Sequence, residues 1–262
     1  MYKGYHYLLL LAFAFLIISC KKSNSDESSA TNLPTATEDS IIPKAIVNEP
    51  KAVVKDTSTK VVVVLGSSTA AGWGASRYDS CWVSRLQNRF NKDSMRVKVI
   101  NLSSPGYVTY HGMPSNYSPP NGRPWFDGGR NISKALTYHP TLIIFNYPTN
   151  DISSNYSDNE ILGNYDTLVK IMNVENVEYI ITGTQPRNFS EIQRQRLKDF
   201  NDLMEPLYRT HYINYLNKLS TVNCFIQDKY SAGDGIHLND KGHQVIYESL
   251  MSFPLLKKVI GY

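Results

Sequence analysis

Residues 61–65 read Val-Val-Val-Val-Leu, an unbroken apolar run that a Gly-Ser-Ser turn ends at residues 66–68. A run rich in β-branched residues and closed by small ones predicts a strand buried on both faces, as at the centre of a parallel sheet. Downstream the period lengthens. Trp82, Leu86 and Phe90 stand four apart, one apolar stripe of a helix over residues 80–90. Further apolar runs predict strands over 96–102, 141–147 and 178–183, and a short one near 211–215. Helical patterns cover 159–172, 191–208 with Pro206 as a point of bending, and 241–253. Strands alternating with helices predict the α/β class, a doubly wound parallel sheet covered on both sides.

The pattern fails before residue 58. Lys3 is followed by an apolar run over residues 7–18, too short to span a bilayer and suited to the core of a signal peptide over 1–19. It ends in Leu16-Ile17-Ile18-Ser19-Cys20, which resembles the lipobox of bacterial lipoproteins. That resemblance implies cleavage before Cys20, lipidation of its thiol and anchoring at an extracytoplasmic membrane face; the alternative is a plain secretory signal with an incidental Cys. Residues 20–57 are Ser, Thr, Pro, Asn and charge, unable to bury enough to fold alone, and read as a tether. As a coil it would reach roughly 35 Å. The remaining 58–262 fit one domain.

Composition narrows the partners. The formal charge is +4, with Lys and Arg spread through the chain, so no basic surface points to nucleic acid. With Cys20 assigned to lipid, Cys81 and Cys224 remain, free to pair or to stay as buried thiols.

The chemistry lies in the loops after the strands, where open α/β sheets place their ligands. Ser68 follows the first strand, at an address suited to a nucleophile, though an ordinary Gly/Ser turn has the same composition. Gly106 after the second would let a backbone N–H approach a ligand, and the Asn150 amide after the third is a donor for a developing oxyanion. Near the C-terminus, Asp234 and His237 are three apart, a spacing at which a carboxylate reaches Nδ1 and fixes the tautomer whose Nε2 accepts a serine proton. Asp234, His237 and His243 suggest a metal site less well, since no further Cys or His completes a shell. No metal and no cofactor are expected.

Taken in order, Gly66-Ser67-Ser68, Gly106, Thr149-Asn150-Asp151 and Asp234-Gly235-Ile236-His237-Leu238 resemble the four blocks of the SGNH (GDSL-type) hydrolases. The resemblance covers nearly all of residues 60–262 and implies a flavodoxin-like three-layer α/β/α sandwich that hydrolyses esters through an acyl-enzyme. It makes Ser68 the nucleophile, His237 the general base and Asp234 its orienter, with the Ser68 and Gly106 N–H groups and the Asn150 side chain as oxyanion hole. One position departs: Ser67 stands where the family usually has Asp, which bears on how the loop is positioned.

Residues 107–130 form a long loop with Tyr107, Tyr110, His111, Tyr117, Trp125 and Phe126. Such a loop is either a substrate platform whose rings stack on sugars, through Tyr107, Tyr110 and Trp125 above all, or a self-packed Ω-loop. Thr184-Gln185-Pro186-Arg187, after the fourth strand, would also face the site, where Arg187 would meet an acidic group of the substrate. The expectation is an esterase or deacylase for small acyl esters, with O-acetyl groups on a glycan foremost. A lipid acyl hydrolase and a catalytically decayed glycan-binding lipoprotein are the alternatives.

Overall fold

The structure, a computed structural model, describes residues 58–262. The expected signal peptide over 1–19, the expected lipidated Cys20 and the expected tether over 20–57 lie outside the described residues.

The sheet has five parallel strands: β1 (Lys60–Gly66), β2 (Val97–Asn101), β3 (Leu142–Asn146), β4 (Glu178–Thr182) and β5 (Tyr212–Ile213), in spatial order β2-β1-β3-β4-β5. This is the flavodoxin-like order, and its switch point falls between β1 and β3. The all-valine run of β1 makes sense there. Val63 and Leu65 face one core layer while Val62 and Val64 face the other, so none of residues 62–65 tolerates a polar side chain.

Each face has its helices. On the first, Val63, Ile143 and Phe145 meet α5 (Asp158–Glu175), through Ile161, Tyr165 and Leu168, and α6 (Glu191–Tyr208), through Leu197, Phe200 and Met204. On the second, α2 (Trp82–Lys92) buries the stripe Trp82, Leu86 and Phe90 completely against Val62, Val64 and Ile144. Beside it α8 (Asp240–Ser252) contributes Ile246 and Leu250, and α9 (Pro254–Ile260) contributes Leu256 and Ile260. Polar caps set the starts: Ser157 accepts from the Glu160 N–H, Ser190 from Gln193, and Asn239 from Lys241 and Gly242. Pro206 sits in the last turn of α6, and the helix runs on to Tyr208. Short helices complete the connections: α1 (Ser68–Ala71), α3 (Ile132–Leu136), α4 (Thr149–Ser153) and α7 (Leu216–Leu219).

Cys81 and Cys224 are both free and buried. Cys81 lies in the second core layer, its thiol donating to the Ser84 hydroxyl at 3.2 Å.

Candidate active site

Ser68 is the first residue of α1, at the carboxyl end of β1. The turn that carries it is held by backbone groups: the Ser67 N–H donates to the Asn146 carbonyl at 3.0 Å and the Ser104 N–H to the Gly66 carbonyl at 3.1 Å. Ser67 therefore occupies the family's Asp position with the loop fastened by its neighbours' main chain. From β2, Asn101 fixes both sides of the crevice, its amide donating to the Ala70 carbonyl at 2.7 Å and its oxygen accepting from the Ser103 N–H at 3.0 Å.

Asp234 and His237 share a loop before α8, and His237 reaches across 169 residues of sequence to Ser68. His237 Nε2 is 3.1 Å from Ser68 Oγ, and His237 Nδ1 is 2.5 Å from Asp234 Oδ2. The other carboxylate oxygen, Oδ1, accepts the Ile236 and His237 N–H groups, each at 2.8 Å. Partial burial pushes the Asp234 carboxyl up, but those N–H groups and the His237 ring outweigh it and hold its pKa down to about 2. A serine hydroxyl, an imidazole and an ionised carboxylate in hydrogen-bonded series can move a proton off the hydroxyl while stabilising the imidazolium that forms.

Gly106 is the third residue of the turn from Ser104 to Tyr107, closed by the Tyr107 N–H on the Ser104 carbonyl at 3.4 Å. Pro105 before it and its own φ of +78° are the signature of a type II turn, which requires a positive φ at that position. The Asn150 amide, in the first turn of α4, donates to the Tyr107 carbonyl at 3.0 Å. An amide nitrogen carries two hydrogens, so one is left to point elsewhere. Ser68 and Asn150 line one small cavity with Ser67, Gln185 and Arg187, and its free space is about 10 Å³, enough for one water-sized group. A far larger hollow, about 620 Å³, lies at the opposite end of β1 around Met95, Arg96 and Val259.

The other expected residues divide. Tyr107 points its hydroxyl at Asp127 and stacks its ring on His111, centroids 4.2 Å apart, so its carbonyl rather than its ring meets the site. Tyr110 is a correction: it is 2% exposed, and its hydroxyl donates to Glu160 of α5 at 2.7 Å, out of reach of any substrate. Arg123 binds the same Glu160, and Tyr117 and Phe126 pack against the first core layer, so residues 107–130 are mostly a self-packed loop strapped to α5. Trp125 is the ring left open, 63% exposed. Arg187 lines the cavity and is 9% exposed. His243 has both ring nitrogens engaged, Nε2 with the Trp73 carbonyl at 3.0 Å and Nδ1 with the Trp82 N–H at 3.4 Å, which makes it a clasp between loops and leaves no lone pair for a metal.

Two residues matter more than the sequence suggested: Trp73, which had no role there, and Gln185, which had only a place facing the site. Trp73, 54% exposed, leans on the His237 ring with centroids 5.5 Å apart; a side chain at Gly74 would put Cβ 2.2 Å from the Leu238 carbonyl, so glycine lets this loop lie against His237. Gln185 ties three loops of the crevice together. Its oxygen accepts from the Thr69 hydroxyl, beside Ser68; its side-chain nitrogen donates to the Ile236 carbonyl, beside His237, at 3.1 Å; and its N–H donates to Thr149 Oγ1, beside Asn150, at 3.0 Å. No spacing rule marks such a residue, because its partners come from three distant segments.

A family model for GDSL-like lipases and acylhydrolases matches residues 64–245, the stretch that holds every residue of this crevice. The chain belongs to that family. It is a serine hydrolase that acts on esters. Solved structures with the same fold include a psychrotrophic esterase from Pseudoalteromonas, 17% identical, covering 78% of this chain and 100% of that one with a TM-score of 0.56. A GDSL-like lipase from Bacteroides thetaiotaomicron is 17% identical over 76% of this chain and 89% of its own, TM-score 0.55. An acetyl xylan esterase is 12% identical over 73% and 98%, TM-score 0.54. The search of curated proteins finds no match.

Proposed function

We propose that this GDSL-family hydrolase removes small acyl groups from an esterified glycan, O-acetyl groups foremost, through an acyl-enzyme on Ser68. The observation that carries the reading is the Ser68–His237–Asp234 hydrogen-bonded series beside a small cavity lined mainly by polar groups. Ser68 Oγ attacks the ester carbonyl carbon as His237 Nε2 takes its proton, and Asp234 holds the imidazolium through Nδ1–H. The Ser68 and Gly106 N–H groups and the second Asn150 N–H receive the oxyanion. Collapse expels the alkoxide, protonated by His237; water then enters with His237 again as base and releases the carboxylic acid. A narrow cavity whose lining mixes Ser, Thr, Asn, Gln and Arg with Tyr147, Pro148 and Tyr215 lacks the continuous apolar wall that an alkyl tail needs and suits a short acyl group better. The acetyl xylan esterase among the similar folds agrees with this choice.

The test is a soluble fragment beginning near Lys51. It should be labelled at Ser68 by a serine-reactive phosphonate and should hydrolyse p-nitrophenyl acetate faster than the octanoate. Octanoate preference would favour a lipid acyl hydrolase, and no labelling a binding protein that has lost catalysis. Within the same proposal, Cys20 is the lipid anchor; Cys20→Ser should move the protein out of the membrane fraction with its esterase activity kept.

A further inference from the structure

The cavity beside Ser68 holds one permanent charge, Arg187. Its Nε is buried with no hydrogen-bond partner, and the nearby Asp234 acts on it through charge alone, without a hydrogen bond. That arrangement is costly. A guanidinium keeps its proton and presents five donors in a fixed fork, and a buried cation without a hydrogen-bonded counter-ion loses hydration it does not recover. Asp234 does not offer itself as that counter-ion: Oδ2 is committed to the His237 ring and Oδ1 to two backbone N–H groups. The position of Arg187 is also built. The Asn188 N–H donates to the Gly235 carbonyl at 2.8 Å, which pins this loop to the Asp234–His237 loop, and the Phe189 ring lies 5.3 Å from the guanidinium carbon.

We propose that the substrate supplies the missing partner: Arg187 is a specificity determinant that binds a carboxylate carried by the ester. This rests on the esterase reading and narrows its substrate class to anionic esters. A guanidinium fork matches a carboxylate in two parallel hydrogen bonds, and in a nearly dry cavity such a contact is worth more than at a surface. The carboxylate comes from one of two sides of the scissile bond, from the alcohol as in an acetylated uronic acid, or from the acyl group as in a half-ester of a dicarboxylic acid.

The experiment compares two matched pairs on the wild-type fragment: an O-acetylated methyl glucuronide against the corresponding glucoside, and p-nitrophenyl hemisuccinate against p-nitrophenyl acetate. One anionic member should have a kcat/KM roughly 10- to 100-fold above its neutral counterpart, the range expected for hydrogen bonds to a charged group. The pair that shows it identifies the side. Arg187→Gln should erase that preference and Arg187→Lys, keeping the charge without the fork, should restore part of it. An arginine that only supports the Asp234 loop would, on replacement, lower both members equally. That result, or turnover of the neutral esters with no anionic preference in the wild type, overturns the inference while the esterase reading stands. No turnover of any ester overturns both.

Discussion

Asn150 shows how much one side chain is asked to do. One of its amide hydrogens is spent on the Tyr107 carbonyl, locking the loop that follows Gly106 to the turn that follows β3. The other is the candidate oxyanion donor. Asn150→Ala should therefore lower kcat by roughly 100-fold or more with KM nearly unchanged, because a donor aimed at the oxyanion acts on the transition state. A rise in KM alone would make it a substrate-binding residue. Ser68→Ala and His237→Ala should each cost several orders of magnitude, and the double variant little more than either, since residues acting as one unit are strongly non-additive. Additive losses in p-nitrophenyl acetate turnover would separate the two residues into independent roles.

Between elements, the links that matter are polar and few. Gln185 joins α1, α4 and the loop before α8, so Gln185→Leu should release three loops at once. We expect kcat to fall roughly 10- to 100-fold through small misplacements while KM moves little. Gln185→Glu keeps the acceptor for Thr69 and loses the donor to Ile236, and should fall between; a drop in Tm without a kcat effect would limit Gln185 to folding. A second link is Asp151, in α4 next to Asn150, whose carboxylate accepts the Thr109 N–H at 3.0 Å and the Thr109 hydroxyl at 2.5 Å. Complete burial raises its pKa to about 7, against the lowering pull of those donors. The folded state then holds a proton that the unfolded chain gives up near its usual carboxylate pKa. Stability should thus fall as pH rises from about 4 towards 7, and Asp151→Asn should flatten that slope in calorimetric Tm measured across the range. Element positions were legible in the sequence because period and burial coincide: β1, α2 and the α5–β4 pair follow their apolar patterns closely. β5 shrank to two residues, and α9 after Pro254 went unread, being too short to show a stripe of its own. The gathering of Ser68, Asn150, Asp234 and His237 in one region was legible because each follows a strand or precedes a helix at a fixed local spacing. The linking role of Gln185 and the place of Trp73 were not, because they come only from what long-range pairing puts beside them; of Gln185 the sequence showed only that it faces the site. Tyr110 misled for a related reason, since an aromatic loop looks the same in sequence whether its rings face a ligand or its own core.

At the scale of the molecule, the parallel order β2-β1-β3-β4-β5 puts the crevice at its single reversal and leaves the two faces to be covered by different parts of the chain. α5 and α6 come from the middle and close one face; α8 and α9 come last and close the other. Neither layer is stitched by a disulfide, as Cys81 and Cys224, the cysteines among the described residues, are both free, so the domain should refold equally well with and without a thiol reductant. The late arrival of α8 and α9 also sets an order of events during synthesis. All five strands and Ser68 are synthesised before Asp234 and His237, and the helix that follows His237 is one of the two that seal the second core layer. On the triad reading, a growing chain thus carries its serine unarmed, and the segment from Asp234 through α9 that closes the second core layer also supplies the partners of Ser68, so reactivity towards esters should mark a domain that has closed.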